Sequence, residues 1–424
     1  MIKFIIKGLV RDRSRSLFPI LMVSAGVFLT VFLYCFMHGV MGDLISSTAK
    51  FDTGHVKIMT QAYKELADQI PNDLAFIGSN DLLDWLRNNE KEMLWTRRIR
   101  FGGLLDVPDK NGETIAQGPA MGLGIDFFNS DSPEKDLLNI EKSIVRGHYP
   151  KQTNEILISD EFAKKLDINI GGTVTLIGST MHGAMAIHNF KVAGTVYFGM
   201  VAMDRGAIIA DIGDVQFALD MPDGASEIVG YSKDMLYSND PMMKLAQRFN
   251  KEFTRKEDEF SPIMLTLSQQ NNMGEYLIYA GAMGSLIVGV FILAMSIVLW
   301  NSGLMNGLRR YGEIGVRLAI GESKGNLYRW TIFESMIIGI AGSVLGTALG
   351  LGVSFYFQYT GIDFSGIMSK SSMLLSNVIR AQVTPASYFI GFFPGVFASV
   401  IGTMFAGIGI YKRQTAQLFK ELET

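Results

Sequence analysis

Four stretches of this chain contain no Asp, Glu, Lys or Arg, and they limit the available folds more than any other feature. They run over 17–42, 277–299, 335–362 and 381–411. A helix that crosses a bilayer needs roughly 20 consecutive apolar residues, whereas runs of about 10–14 suit a buried core helix. All four stretches are therefore predicted to be transmembrane helices. The first could resemble a signal peptide, because Lys3, Lys7, Arg11, Arg13 and Arg15 precede it. Its apolar run is too long for such a leader, and no small-x-small cleavage site follows. Bulky Tyr34 ahead of Cys35 also argues against a lipoprotein signal.

Composition agrees. Of 424 residues, 48% are hydrophobic and 19% charged, against about 25% charged in average soluble domains. This excludes disorder and argues against a wholly water-soluble enzyme. A net charge of −3 supplies no basic excess for nucleic acid. The single cysteine, Cys35, excludes an internal disulfide and any multi-cysteine zinc site. Forty-five glycines and 24 methionines suit close helix contacts and adaptable apolar surfaces.

Basic residues in short flanks set orientation. Besides the N-terminal group, Arg309, Arg310, Arg317, Lys324 and Arg329 cluster in 301–330, and Lys412, Arg413 and Lys420 in the tail. The segment 363–384 has only Lys370 and Arg380. The predicted order is a cytoplasmic segment 1–16, transmembrane helix 17–42, an extracytoplasmic α+β domain with stalk 43–275, and transmembrane helix 276–300. A cytoplasmic loop 301–331, transmembrane helix 332–359, outer loop 360–384, transmembrane helix 385–411 and cytoplasmic tail 412–424 follow. Residues 43–275 carry 23 basic and 34 acidic residues, a net of −11. The small overall charge is thus a cancellation between two sides.

Within 43–275, strands are expected at 54–59, 98–107, 113–125, 154–159, 171–178, 189–198 and 206–210, with a turn at Lys110-Asn111-Gly112. Helices are expected at 81–88, capped by Asn80 or Asp81, after 159, after 210 and at 240–249. Residues 254–276 read as a helical stalk. The five histidines, His38, His55, His148, His182 and His188, form no HExxH. There is no GxSxG and no cysteine–histidine set, so neither catalysis nor a metal site is expected. No GxxxxGK[ST] occurs, so the chain cannot cradle ATP phosphates by that route, and any nucleotide hydrolysis would have to come from another subunit. The uncharged segment 178–189 reads as a long apolar hairpin loop. Its Met181, His182, Met185 and Ile187 are candidates for a partner-binding element.

Small residues recur every fourth position at Gly281, Ser285 and Gly289, at Gly342, Gly346 and Gly350, and at Gly391, Gly395, Ser399, Thr403 and Gly407. Such faces permit close helix packing. Phe28, Phe32, Phe36 and Met37, with Met283 and Leu286, are candidates for a cavity that takes an apolar ligand or lipid, although plain lipid contact serves equally. In 308–335, EIGVRLAIG reads as a short amphipathic helix. Ile314, Leu318 and Ala319 are expected on one face, Glu313 and Arg317 as an i,i+4 pair, and Gly321 as its stop. Glu334 is expected at the start of the third membrane helix, where a carboxylate complements the helix dipole.

These residues resemble the FtsX/MacB-type ABC transporter permeases, most closely the lipoprotein-releasing LolC/LolE-like branch. The layout of one helix, a large outer domain and three helices carries the resemblance. So does R-x-x-E-I-G-x-x-x-A-x-G, here Arg310, Glu313, Ile314, Gly315, Ala319 and Gly321, followed by Phe333-Glu334. IVRGHYP (144–150), AKKLDINIGGTVTL (163–176) and FKVAGTV (190–196) add to it. The resemblance implies a MacB-like periplasmic core domain and a bacterial inner-membrane location with both termini cytoplasmic. It implies two copies of a cytoplasmic ABC ATPase, which bind ATP and Mg, coupled through Arg310, Glu313, Ile314, Gly315, Arg317, Ala319, Gly321 and Glu334. A second permease, as homodimer or related heterodimer, is implied, together with an acylated lipoprotein substrate, a periplasmic carrier and membrane lipids. The short, proline-free segment 178–189 departs from the protruding carrier-binding hairpin of that branch. The competing readings are mechanotransmission for peptide, toxin or antibiotic efflux or cell-wall control, and a membrane scaffold or signalling protein without transport.

Overall fold

A computed structural model describes residues 13–412 apart from 130, 256, 271, 309 and 364–377. Lys3, Lys7, Arg11, Arg309, Lys370, Arg413 and Lys420 lie outside the described residues. The chain divides into two compact units, one helical and one built on a sheet inserted between the first and second long helices.

Four apolar helices are long enough to span a bilayer, and apart from 42–48 of the first and 273–278 of the second they belong to the helical unit. They are α1 (Arg13–Thr48), α2 (Met273–Leu308), α4 (Lys324–Thr360) and a composite segment ending in α5 (Ser399–Lys412), with the short α3 (Tyr311–Ala319) between α2 and α4. The fourth span is not the single helix expected at 385–411. It opens with a 3₁₀ turn at Pro385–Tyr388, widens into a π-helix at Phe393–Ala398 and only then becomes α-helical. Pro394 lies at the start of the π segment and has no N–H for the i−4 ladder.

Valines fill the glycine grooves. Val23 packs on Gly342, Val27 on Gly346 and Val31 on Gly350, so α1 and α4 lie parallel with matched four-residue repeats. A Cβ at Gly346 would fall 2.5 Å from the Ser24 carbonyl oxygen. Gly391 and Gly395 close on the other side of Val27. Gly281 and Gly289 on α2 meet nothing within 4 Å.

The second unit contains a ten-stranded sheet. Its strands are β1 (Val56–Thr60), β2 (Met93–Pro108), β3 (Thr114–Ile125), β4 (Ile144–Gly147), β5 (Glu155–Ser159), β6 (Thr173–Ser179), β7 (Met185–Val196), β8 (Ala207–Asp211), β9 (Glu227–Ser232) and β10 (Pro262–Thr266). The order is β10-β1-β9-β2-β3-β8-β5-β7-β4, and β6 pairs with both β2 and β7. That double pairing closes β2, β3, β8, β5, β7 and β6 into a barrel. Alternate residues point inward, and Phe101, Leu105, Leu176, Phe190, Ile156 and Ile208 fill the interior. The first half of β2 pairs instead with β9. There Trp95 and Ile228 pack against Leu86 and Phe249 of helices Ser79–Asn89 and Asn239–Phe253. Local signals behave as expected at Gly112, which turns at φ +86°. The 81–88 helix begins two residues early, at Ser79, and Asp223 rather than Asn80 or Asp81 accepts from the Asn80 N–H at 3.1 Å.

Two expectations fail. Residues 254–276 are not a helical stalk: Pro262–Thr266 adds β10 to the sheet edge, and α2 starts only at Met273. A proline fits this edge strand, since its missing N–H leaves no ladder bond broken in the sheet interior. Residues 178–189 are not a long loop either. Strands β6 and β7 stay paired from Thr173↔Lys191 to Ser179↔Met185, and the turn is confined to 180–184.

Candidate coupling site

The site is built at α3. Arg310 leads into it, and the helix presents Tyr311, Ile314 and Gly315 inward, all buried. Leu327 of α4 and partly buried Leu318 complete a small apolar cluster with Tyr311 and Ile314. The Tyr311 hydroxyl donates to the Ala406 carbonyl of α5. Leu327 and the Ala406 carbonyl therefore seat a nine-residue helix too short to be stable alone. Its end is a Schellman motif: the Glu322 N–H bonds the Arg317 carbonyl and the Gly321 N–H the Leu318 carbonyl, both at 3.1 Å. Gly321 supplies the required positive φ, +99°.

Electrostatics add a clamp. Both terminal nitrogens of Arg310 donate to the two carboxylate oxygens of Glu334, with Nη2 to Oε1 at 2.6 Å. Glu334 is not at a helix N-terminus, as expected from the charge-free run. Helix α4 starts ten residues earlier, so Glu334 lies in its third turn and its partner is a side chain. Beside it, Ser335 donates to the Ser399 carbonyl at 3.1 Å, and Thr403 donates to Ser335 Oγ at 3.0 Å and to the Gly303 carbonyl at 3.3 Å. These hydroxyls tie α2, α4 and α5 together at one level. Tyr311, Ser335 and Thr403 escape sequence reading as site residues. A tyrosine directly after the paired arginine was the available signal for the first.

The outward side of α3 carries Arg317 and Glu313, paired at 3.0 Å, together with exposed Val316 and Ala319. Ala319 thus faces away from the packed side on which it was expected, because Tyr311 rather than Ala319 completes the stripe. Just past the helix, Ile320 is 82% exposed. This mixture of apolar and charged groups on a seated helix can bind a protein surface, and it contains no catalytic set.

The other candidates separate. Phe28, Phe32 and Phe36 form a stacked column with centroids 6.3 and 6.2 Å apart, and Phe32 meets Phe357 of α4 at 6.0 Å. Met37 is partly buried on the same helix, while Met283 and Leu286 are exposed on α2. Between α1 and α2, Gly26 lies under Met295 and Leu299, and Gly284 lies 3.9 Å from Met41. At the hairpin tip, Met181 turns into the barrel core at 7% exposure, so it is unavailable to a partner. Met185 and Ile187 stand outward on β7, and His182 lines a cleft of about 600 Å³ with residues 69–73. Among the described residues no cluster of His, Cys, Asp and Glu could hold a metal.

Residues 285–415, from α2 through α5, match the family of FtsX-like permease C-terminal domains. The lipoprotein-releasing system transmembrane protein LolC of Haemophilus influenzae is 24% identical over 306 residues, covering 64% of this chain and 73% of that protein. A macrolide export ATP-binding/permease protein MacB of Yersinia pestis is 28% identical over 110 residues, 26% of this chain but only 16% of that protein. The Neisseria gonorrhoeae MacB is 34% identical over 99 residues, 22% of this chain and 15% of that protein. A crystal structure of the periplasmic region of MacB from Actinobacillus actinomycetemcomitans superposes on 52% of this chain and 91% of its own, with a TM-score of 0.35 and 13% identity.

Proposed function

We propose, starting from the FtsX-like permease domain formed by residues 285–415, that this chain is the permease subunit of an ABC transporter. In this reading it spans the bacterial inner membrane four times, with α3 and both termini cytoplasmic and the sheet unit periplasmic. A separate ATPase docks on α3 and supplies the ATP and Mg chemistry. The observation that carries the reading is α3 itself: a short helix clamped by Arg310 and Glu334, seated on α4 and α5, with Val316 and Ile320 left exposed. Rigid seating lets a push on its outer face reach the membrane helices.

The work we favour is release of acylated lipoproteins towards a periplasmic carrier. The LolC relative supports it, since that similarity extends over 64% of this chain. Moving an acyl chain into water costs about 0.8 kcal/mol per CH₂, which explains the need for ATP and for a shielding carrier. The MacB relatives support a second reading, mechanotransmission for efflux. Depletion of the protein, followed by proteomics of lipoproteins retained in the inner membrane, separates the two. Accumulation of acylated lipoproteins is expected, and an unchanged inner-membrane lipoproteome refutes the first reading. Copurification of an ATPase tests both against a scaffold, and Glu313→Lys or Gly315→Trp should uncouple its hydrolysis while the chain still inserts. Wild-type coupling in both variants refutes α3 as the docking element.

A further inference from the structure

Helix α1 ends in an unusual way. Residues Ala49–Thr53 widen into a π-helical turn, in which the Gly54 N–H bonds the Ala49 carbonyl at 2.8 Å. The last carbonyls of a helix ordinarily lack partners within it. Residues 42–278 all belong to the sheet unit, and within it every carbonyl from 49 to 53 accepts from a side chain. The Tyr231 hydroxyl of β9 reaches Ala49 and Lys50 at 3.2 and 3.3 Å. Arg100 of β2 donates through Nη2 to Phe51 and Asp52 at 3.1 and 3.2 Å. Gln270 donates to Thr53 at 3.1 Å.

These three residues are themselves held. Glu227 meets Arg100 at 3.0 Å and Lys57 at 2.7 Å, and Asp52 closes the ring on Arg100 at 2.9 Å and Lys57 at 3.5 Å. Tyr231 lies under the guanidinium of Arg98, which pairs bidentately with Glu134 in full burial. Gln270 also donates to the Leu265 and Thr266 carbonyls, in the segment that leads to α2. One amide thus ties the chain coming from α1 to the chain leaving for α2. A hinge would show the opposite pattern, with solvated carbonyls and few buried contacts, whereas π-turns with fixed partners recur at functional positions.

The geometry points to a force-bearing socket, in which Tyr231, Arg100 and Gln270 grip the last turn of α1 so that the helix end and the sheet move as one body. They are positioning residues for the proposed activity, and this role rests on the reading that membrane-helix motion is delivered to the sheet unit.

The test uses the full chain with its copurified ATPase in nanodiscs. Spin labels are placed at exposed Leu44→Cys on α1 and Lys165→Cys on the sheet unit, with buried Cys35→Ala. Pulsed EPR should give one narrow distance distribution, unchanged by ATP with vanadate. Arg100→Gln and Tyr231→Phe should each at least double its width, and Arg100→Lys should restore it. Tyr231→Phe removes a single oxygen and keeps the ring, so it reports even if Arg100→Gln misfolds. A wild-type distribution that is broad or shifts with nucleotide overturns the socket, as does an unchanged width in Tyr231→Phe. Absence of any ATPase partner would defeat the transporter reading alone, since width and its loss are still measured on the chain itself.

Discussion

Replacing Glu334 by Gln tests whether α3 is held by an ion pair. Arg310 and Glu334 are 17% and 21% exposed and meet through two parallel hydrogen bonds. A hydrogen bond to a charged group contributes about 1.5–3 kcal/mol, and desolvation of the pair opposes it. Partial exposure screens the attraction further, so losing one partner should cost about 2 kcal/mol net. That is a roughly 30-fold shift in the equilibrium between seated and unseated α3. Arg310→Gln should cost about the same, and the double variant little more, giving an interaction energy of about 1–2 kcal/mol in the cycle.

The alternative role, a carboxylate complementing a helix N-terminus, is worth about 0.3–1 kcal/mol and does not involve Arg310. Thermal unfolding of the purified chain supplies the cycle, and hydrogen exchange of amides 311–319 reports seating directly. The charge reversal Arg310→Glu with Glu334→Arg should recover part of the protection. Additivity within about 0.5 kcal/mol, with unchanged exchange over α3, would refute the clamp.

Gly346→Leu should destabilise the helical unit by about 1–3 kcal/mol through overpacking against α1, whereas Gly289→Leu, with open space around it, should leave the melting temperature unchanged. Equal effects would contradict the groove assignment. Acid should act on the sheet unit in two steps. Burial lowers His55 to about 4, with only Asp234 opposing, so its contribution is full above pH 6.5 and is lost as pH falls towards 4. Burial disfavours the Glu227 carboxylate, but Arg100, Lys57 and Arg98 outweigh it and hold it at about 2, so its share is present above pH 4.5 and is lost on falling towards 2. The His55 step is worth about 3 kcal/mol, and Asp160, where burial opposes the carboxylate but Lys164, Arg146 and Thr195 prevail and hold it at about 2, shares the second window; His55→Gln should abolish the first step in a pH series of denaturation midpoints, and survival of that step would exclude His55. Met181→Ser should destabilise the barrel by about 2 kcal/mol, while Met185→Ser and Ile187→Ser should not; similar melting shifts for all three would contradict the inward turn of Met181.

What was legible depended on whether the deciding interaction is local. The four spans, the Asn-Gly turn at 111–112 and the stop at Gly321 rest on length, φ and a few adjacent residues, so they can be read from neighbours alone. The barrel cannot. Its closure needs β6 to pair with β2, about 70 residues earlier, with Leu104↔Ile177 in register. Residues 178–189 look like a loop because Gly, Ser, Met and His dominate them, yet the alternation of exposed Met185, buried Ala186 and exposed Ile187 is a strand signal that this composition obscures.

The same division separates the two readings of Glu334. A charge-free run marks where apolar residues begin, not where hydrogen bonding begins, and α4 gains its first eleven residues, Lys324 to Glu334, before that boundary. Once the helix starts at Lys324, Glu334 is too deep for the terminal dipole, whose effect fades within one turn. It then has to be neutralised by a side chain, and Arg310, 24 residues earlier, is placed to do so only because α3 folds back between α2 and α4. The clamp and the seating of α3 therefore depend on each other. Residues whose roles are set by such mutual dependence are the ones that sequence spacing locates without explaining.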